Sequence, residues 1–202
     1  MDDQRIRIEG ARVVIRDAVP RDVDILAFWL EPDNRWQELD GPVTDLPNPA
    51  DRDNILAERR AIVTARSLPV PRTVLSIADR ESDEMIGQVM LDSGTGQSAG
   101  EPRASIVIFN PDFWGYGLGY EALGLWIDYL FDAMPDRDRI ELEMWSGNAG
   151  MVRLAAKLDF IEDVGERRGL FRLRRESRRF QLERDSWVAQ HPDGFVQSLQ
   201  ER

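Results

Sequence analysis

The sequence contains no cysteine, a single histidine and a single lysine. Without cysteine there is no disulfide, no thiol nucleophile and no thiolate ligand for a metal. His191 is the only residue that could complete a Ser-His-Asp triad, and a metal site built from several histidines is excluded. We therefore predict no metal cofactor, although carboxylates alone can still bind a hard cation.

Long apolar segments are also absent. No run of about 18 apolar residues occurs, so no segment is expected to cross a membrane. The first residues, Met1 to Arg5, include two acids and lack the apolar centre of a signal peptide. We expect a cytoplasmic protein without a membrane partner.

Acidic residues outnumber basic ones by 37 to 26, which gives a net charge of −11. A mostly acidic surface disfavours nonspecific binding to nucleic acid and favours encounters with cations. The charge is uneven, because residues 167–179 hold seven arginines and one acid. We interpret this arginine-rich segment as a charged hairpin, with salt bridges across a dimer or contacts to ribosomal RNA phosphates as alternatives.

At 202 residues the chain is long enough for one domain with a substantial core. We predict a single domain over 1–202, with a core over about 10–187 and a polar tail over 188–202. Apolar periodicity and turn residues predict the order of elements. These are a strand or hairpin (5–16), a helix (20–29), a long loop (31–54), a helix (55–66), two strands (73–78 and 85–91), a hairpin loop (92–101), a strand (104–109), the central helix (121–134), a strand (139–145), a helix (149–158), a closing hairpin (180–187) and a short helix within the tail.

The most informative stretch runs from Pro111 to Tyr120. A buried strand precedes it, and an amphipathic helix follows without spare residues. Gly115, Gly117 and Gly119 let the backbone come close to a ligand and turn successive N–H groups toward one point. The helix dipole adds positive potential at the same point. These features predict a site for a diphosphate or a similar anion, and a strand-to-helix turn that merely needs glycine is the alternative.

Two common phosphate loops do not fit this stretch. A dinucleotide fingerprint requires glycine where Tyr120 stands, and a Walker loop requires Lys followed by Ser or Thr where the chain has Tyr120 and Glu121.

The stretch instead resembles the pyrophosphate loop of the GNAT acyl-CoA N-acyltransferases. In that loop Arg or Gln comes first, two further residues follow, and then Gly, any residue, and Gly or Ala. Here Trp114 stands in the Arg or Gln position, with Gly117 and Gly119 as the small residues. This form is similar to that of the ribosomal-protein N-terminal acetyltransferases, the RimJ/RimL branch.

A second segment strengthens the resemblance. After the central helix, GNAT proteins carry a strand ending in Leu-Glu-Val, then an Asn, then a helix ending in Glu-Lys-Leu-Gly-Phe. The counterparts here are Leu142-Glu143-Met144, Asn148, and Ala156-Lys157-Leu158-Asp159-Phe160. Ile15-Arg16-Asp17-Ala18 and Arg179-Phe180-Gln181-Leu182 with Trp187 also resemble the RimJ/RimL branch, so the resemblance covers about residues 10–187. It implies a GNAT-type α/β (α+β) fold, with a mixed, mostly antiparallel sheet that is splayed at an acyl-CoA cleft and flanked by helices.

The resemblance also implies how acetyl-CoA, the co-substrate, is bound. A backbone N–H at the end of the strand, about Ile108 or Phe109, would polarise the thioester carbonyl. The loop would bind the diphosphate, and Asn148 would contact the pantetheine arm, with a plain turn asparagine as the alternative. The residues predicted to bind acetyl-CoA are Ile108, Phe109, Asn110, Trp114, Gly115, Tyr116, Gly117, Leu118, Gly119, Tyr120 and Asn148.

Glu143 takes the place of the glutamate that serves as general base in several relatives, with a solvated strand carboxylate as the alternative. The tyrosine that reprotonates the leaving thiolate in those relatives falls on Ala155, so this general acid is absent. Glu84, Asp92 and Glu101 are weaker candidates for the base.

The implied activity is N-acetyl transfer from acetyl-CoA to a primary amine, either a protein N-terminus or a small cationic amine. Residues 31–45, together with Trp29 and Trp36, are expected to form one wall of the acceptor pocket, because carboxylates and aromatic rings suit an ammonium group. A solvated acidic loop with two core tryptophans is the alternative. A non-catalytic acyl-CoA-binding regulatory module and a larger donor such as succinyl-CoA are the alternative functions. The branch also implies a homodimer.

Overall fold

The computed structural model describes residues 5–32, 34–39, 48–92, 100–163, 169–170 and 175–200. The strands in these ranges are β1 (Arg7–Glu9), β2 (Val13–Arg16), β3 (Val74–Asp79), β4 (Met85–Asp92), β5 (Arg103–Ile108), β6 (Arg139–Trp145), β7 (Ile161–Glu162), β8 (Gly169–Leu170) and β9 (Arg175–Glu183). The helices are α1 (Pro20–Trp29), α2 (Pro49–Thr64), α3 (Leu118–Ala133), α4 (Ala149–Lys157), α5 (Arg184–Gln190) and α6 (Phe195–Gln200). Two 3₁₀ turns cover Arg35–Leu39 and Pro111–Phe113.

The strands form one mixed sheet in the order β1-β2-β3-β4-β5-β6-β9-β7, and β8 pairs with β9. Adjacent strands run antiparallel except β5 and β6, which are parallel. The parallel pair is possible because α3 supplies the long crossover connection that two parallel strands require. The predicted α/β architecture with a mostly antiparallel sheet is confirmed.

The sheet opens between β5 and β6. These strands pair only at Arg103 with Glu141 and at Ala104 with Leu142, although β5 continues to Ile108 and β6 to Trp145. Beyond the last pair the two strands diverge, so one edge of β5 faces a gap inside the sheet. This gap, called the split below, is the splay that the resemblance implied.

Helices cover both faces of the sheet. The larger core lies between α3 and one face, and includes Ile15, Ile77, Val89 and Leu142 together with Trp126 of α3. The smaller core lies under α1 and α2 on the other face, and includes Val23, Leu26, Leu30, Leu56, Met85 and Phe109. The alternation of β5 divides its residues between these cores, because Ile106 and Ile108 pack with the first and Val107 with the second.

A buried charged cluster attaches α1 to the sheet. Arg16 of β2 donates to both carboxylate oxygens of Asp22 at 2.6 and 3.1 Å, and the Ser76 hydroxyl donates to the same carboxylate at 2.9 Å. Next to it, Asp17 accepts from Arg72 at 2.9 Å. These contacts explain why two opposite charges follow one another in the Ile15-Arg16-Asp17-Ala18 segment.

The predicted helix over 55–66 is longer at its N-terminus than periodicity suggested. It begins at Pro49, because the Asn48 side chain accepts hydrogen bonds from the backbone N–H groups of Ala50 and Asp51. Proline at the first helical position is compatible with this start, since it lacks an N–H that would otherwise need a partner. The Asn-Pro pair was therefore a helix start rather than part of the loop.

The prediction of a closing hairpin over 180–187 was wrong. Strand β9 ends at Glu183 and α5 follows at once, which places Trp187 on a helix. The Trp187 ring is buried, and its Nε1 donates to Asp128 of α3 at 2.9 Å. The aromatic residue that looked like a strand residue is instead the contact by which α5 packs on α3.

The predicted polar tail also packs against α3. Phe195 of α6 is fully buried, and its backbone N–H donates to Asp128 at 3.2 Å. Residues 93–99 of the hairpin loop, and residues 167–168 and 171–174 of the arginine-rich segment, lie outside the described residues. Within the described part of the chain, no helix has both the length and the apolar character needed to cross a bilayer.

Candidate functional site

The glycine-rich loop adopts the backbone that its sequence suggested. Gly115 and Gly117 both have φ of 82°, in the left-handed region that side chains other than glycine rarely tolerate. Gly117 is the N-cap of α3, so the helix begins at Leu118, three residues before the predicted start. Gly119 lies within the first helical turn, where an added Cβ would make an ordinary 3.6 Å contact with Leu154. The left-handed backbone of the loop therefore requires glycine at positions 115 and 117, but not at 119.

A cavity of about 210 Å³ lies beside this loop. Its wall is formed by β5, the loop, the start of α3, the first two turns of α4, and the 3₁₀ turn Arg35–Leu39. The predicted residues that line it are Ile108, Trp114, Gly115, Gly117, Leu118, Gly119 and Asn148. The cavity thus joins the glycine loop to the β5 edge of the split.

Four other predicted residues do not line the cavity with their side chains. Phe109 is buried in the smaller core, and Asn110 accepts from the Asp112 N–H at 2.9 Å to cap the following 3₁₀ turn. The Tyr116 side chain is exposed, and the Tyr120 ring packs against Phe195. The backbone N–H of Tyr120 is also engaged, because it donates to the Gly117 carbonyl at 3.1 Å.

The strand ladder distinguishes between the two candidate N–H groups. The Phe109 N–H donates to the Ile86 carbonyl at 2.9 Å, so it is engaged within the sheet. In an antiparallel pair, successive residues of a strand point their N–H and C=O groups to opposite edges of the strand. Since the Phe109 N–H points toward β4, the N–H and C=O groups of Ile108 point away from β4, toward the split. The Ile108 carbonyl accepts from the Trp114 indole at 2.8 Å on that side. Of the two, Ile108 is the residue whose N–H faces the split.

Asn148 both caps α4 and borders the cavity. Its Oδ1 accepts from the Met151 N–H at 2.9 Å, as expected of a helix N-cap. Its Nδ2 donates to the Leu39 carbonyl at 3.0 Å, which links α4 to the 3₁₀ turn on the opposite wall. An amide nitrogen carries two hydrogens, so one donor is left after this contact.

Glu143 lies at the narrow end of the split, one residue past the last β5–β6 pair at Leu142. One carboxylate oxygen accepts from Arg103 at 2.9 Å and the other from the Ser177 hydroxyl at 2.7 Å. Arg179 lies 3.8 Å away. Glu143 is not a lining residue of the cavity, and an incoming ammonium group would have to share or displace one of these donors.

The position of the absent tyrosine is occupied by Ala155, which is fully buried in α4. Among the described residues none that lines the cavity carries a hydroxyl, and Glu84, Asp92 and Glu101 do not line it either. The same part of the chain contains no group of three or more His, Asp or Glu side chains placed to hold a metal ion.

The expected acceptor wall is partly described. Trp29 stacks on Phe109 with ring centroids 6.3 Å apart, and Trp36 meets the same ring edge-on at 5.4 Å. Both tryptophans are partly buried and pack against the smaller core, and Trp36 also lines the cavity. Residues 33 and 40–47, which contain most of the acids assigned to this wall, lie outside the described part of the chain.

Sequence reasoning missed one residue that contacts the loop. Arg12, in the turn between β1 and β2, donates from Nη1 to the Tyr116 carbonyl at 2.6 Å. It also lies near the buried carboxylate of Glu121 at the start of α3. The two residues are 109 positions apart in the sequence, so no local pattern pairs them.

Comparison with known proteins agrees with this geometry. A family model described as the acetyltransferase (GNAT) domain matches residues 12–161. No curated protein sequence matches the chain. Among solved structures, RimJ from Mycobacterium smegmatis, in complex with CoA-disulfide, has a TM-score of 0.68 and 18% identity over 99% of this chain and 94% of that one.

Two further structures are similar to the same extent. A ribosomal-protein-S5-alanine acetyltransferase from Vibrio fischeri has a TM-score of 0.66 and 15% identity, covering 90% of this chain and 98% of that one. A GCN5-related N-acetyltransferase from Brucella melitensis has a TM-score of 0.67 and 18% identity, covering 100% of this chain and 86% of that one. These likenesses establish the fold, and the family model spans most of the chain. The protein belongs to the GNAT acetyltransferase family.

Proposed function

We propose that this protein transfers an acetyl group from acetyl-CoA to a primary amine. The observation that carries the proposal is a single cavity that contains both the left-handed glycine loop and the β5 edge of the split. One end suits a diphosphate, and the other presents the edge of β5 beyond its last pair with β6 to an extended, amide-containing arm. Acyl-CoA has these two parts in this order.

Binding of the donor is assigned to backbone groups. The N–H groups from Gly115 to Gly119, at the N-terminus of α3, hold the diphosphate, because helix N-termini bind anions. The Ile108 N–H donates to the thioester carbonyl oxygen, where negative charge develops during attack. Asn148 contacts the pantetheine arm with the amide hydrogen that Leu39 does not use.

The chemical step is direct attack of the amine on the thioester carbonyl. The C–N bond forms, the C–S bond breaks, and CoA leaves as its thiolate. Glu143 takes the proton of the ammonium group, directly or through a water, as general base. Water protonates the thiolate, because a thiol with an ordinary pKa of about 8.5 leaves without much help from an acid.

The acceptor class is supported by two observations. The similar structures include enzymes named as RimJ and as a ribosomal-protein-S5-alanine acetyltransferase, which favours a protein N-terminus. The acids of residues 31–45 favour any cationic amine, peptide or small molecule. We also propose that the protein acts in the cytoplasm as a homodimer, and a monomer mass by light scattering at tens of micromolar would contradict the dimer.

Calorimetry with acetyl-CoA and a screen of amines read by release of free CoA test the proposal together. Binding with turnover of at least one amine, peptide N-termini included, supports it. Binding without turnover across the panel would favour a regulatory acyl-CoA-binding module. Absence of binding would overturn the assignment of the cavity.

One observation favours a larger, acidic donor such as succinyl-CoA. Arg59 of α2 is 5% exposed and donates from Nη2 to Gln88 at 2.7 Å. Its Nη1 is buried without a hydrogen-bond partner, and a buried unpaired donor is costly. Burial lowers the pKa of this guanidinium, although the charges of Asp22 and Glu58 oppose the shift. Val107, the cross-strand partner of Gln88, lines the cavity, so Arg59 donates to a residue that neighbours the cavity wall.

The donor is tested by comparing kcat/KM for acetyl-CoA and succinyl-CoA in the wild type and in Arg59→Gln. If the carboxylate of succinyl-CoA pairs with Arg59, the substitution should lower kcat/KM for that donor by about ten- to a hundredfold, the loss of one hydrogen bond to a charged group. The value for acetyl-CoA should change little. A wild type that does not use succinyl-CoA would rule this donor out.

A further inference from the structure

The diphosphate loop of this protein contains no cation of its own. In the family pattern an Arg or Gln opens the loop, and here that position is Trp114, whose indole donates to the Ile108 carbonyl at 2.8 Å. The segment from Pro111 to Tyr120 holds no basic residue and one acid, Asp112. Backbone N–H groups and the dipole of α3 are therefore the positive groups that this segment supplies.

A guanidinium reaches the loop from a different part of the fold. Arg12 donates from Nη1 to the Tyr116 carbonyl at 2.6 Å, and a Cβ built on Gly117 would lie 3.3 Å from its Nη2. The side chain is 54% exposed, so the N–H groups that do not face Tyr116 or Glu121 are accessible to a ligand. Arg12 thus lies directly against the two residues, Tyr116 and Gly117, at the turn of the loop.

Glu121 holds Arg12 in this place. The Glu121 side chain is almost fully buried, and its Oε1 accepts the backbone N–H groups of Arg12 at 2.7 Å and Val13 at 3.0 Å. Its Oε2 lies 3.5 Å from the Arg12 Nε. The adjacent Gly10 leaves room for this carboxylate, because a Cβ there would lie 2.2 Å from Oε1. Glu121 is in the first turn of α3, directly after the glycine loop. The helix that follows the loop therefore also fixes the β1–β2 turn, which carries Arg12.

We propose that Arg12 is a diphosphate-specificity residue, which supplies from the β1–β2 turn the positive charge that the loop itself lacks. The inference rests on the proposed function, because it takes the loop to be the site for the diphosphate of acyl-CoA. Arg12 acts on the phosphate end of the donor and has no part in the chemistry at the carbonyl.

The test compares Arg12→Ala with Arg80→Ala. Arg80 is a matched control, because it is 49% exposed, carries the same charge and donates to the carbonyl of Ala11 in the same turn at 3.4 Å. Dissociation constants for CoA are measured by calorimetry at two ionic strengths. Donor use is measured as kcat/KM for acetyl-CoA and for S-acetylpantetheine, which carries the thioester arm without the diphosphate.

Arg12→Ala should weaken CoA binding by about tenfold, the effect of one lost charge-assisted contact, and should reduce the dependence of binding on salt. The kcat/KM for S-acetylpantetheine should stay at the wild-type value, and Arg12→Lys should restore part of the affinity for CoA. Arg80→Ala should resemble the wild type. This pattern would support the proposal.

Equal losses with both donors would overturn it, since they would mean that Arg12 only supports the fold of the site. Unchanged CoA affinity in Arg12→Ala, or the same loss in Arg80→Ala, would also overturn it. In those cases the wild type still binds CoA and the proposed function stands. If the wild type itself fails to bind CoA, the proposed function fails first.

Discussion

Replacing Glu143 by Gln tests the chemical step at a single position. The substitution keeps the shape of the side chain and removes its ability to accept a proton. Gln still accepts one hydrogen bond through its amide oxygen, so either Arg103 or Ser177 keeps its contact. With the amide oxygen toward Arg103, the NH₂ group can donate to the Ser177 hydroxyl oxygen, so both contacts can be kept and only the charge is lost.

The cost to stability is expected to be small. Arg103 and Glu143 are 37% and 34% exposed, and an ion pair this accessible contributes up to about 1 kcal/mol. For a chain of this length that is a decrease in melting temperature of roughly 2–4 °C. The effect on turnover is larger, because loss of one positioned base is expected to lower the rate by roughly a hundred- to ten-thousandfold. That corresponds to about 2.7–5.4 kcal/mol in the barrier.

The assay is CoA release at saturating acetyl-CoA between neutral and high pH, with affinity for acetyl-CoA measured in parallel. Affinity should stay near the wild-type value, and the loss of turnover should shrink at high pH, where the free amine no longer needs a base. Glu141→Gln is the matched control, because Glu141 lies on the same face of β6 and is 3.7 Å from Arg179. Wild-type turnover of Glu143→Gln at neutral pH would remove Glu143 from the mechanism.

Three further predictions concern binding, packing and pH. Gly117→Val should abolish acetyl-CoA binding with the fold retained. A residue with a side chain is destabilised by about 1–2 kcal/mol at φ of 82°, so the loop would move. Unchanged affinity for acetyl-CoA in a titration would contradict the loop assignment. Gly124→Ala should lower the free energy of unfolding by about 1–3 kcal/mol, because the added Cβ would lie 2.1 Å from the Phe195 ring. A denaturant midpoint equal to that of the wild type would refute the packing of α6 on α3. Burial alone would raise the pKa of Asp83, but hydrogen bonds and charge from its arginine partners outweigh it and lower that pKa. Its stabilising contribution is therefore present above about pH 4 and lost as the pH falls below that value, and Asp83→Asn should flatten the acid limb of a stability curve against pH.

The sequence by itself determined the parts of the site that depend on local backbone chemistry. Gly115 and Gly117 stand where only glycine suits a left-handed turn, and the apolar spacing after them predicts a helix. The same local rules also covered the start of α2, since Asn48 before Pro49 is a helix N-cap signal. The polar composition of residues 31–54 masks that signal, because it is typical of a loop.

Only the tertiary structure decided which groups meet in the cavity. Whether Ile108 or Phe109 turns its N–H to the split depends on the register with β4, and a shift of one residue would exchange them. Trp187 packs on Asp128 from a helix, although its neighbours read as a strand. Arg12 meets the glycine loop across more than a hundred residues of chain. Pairings of this kind depend on how the sheet and α3 pack, because non-local contacts leave no periodicity in the sequence.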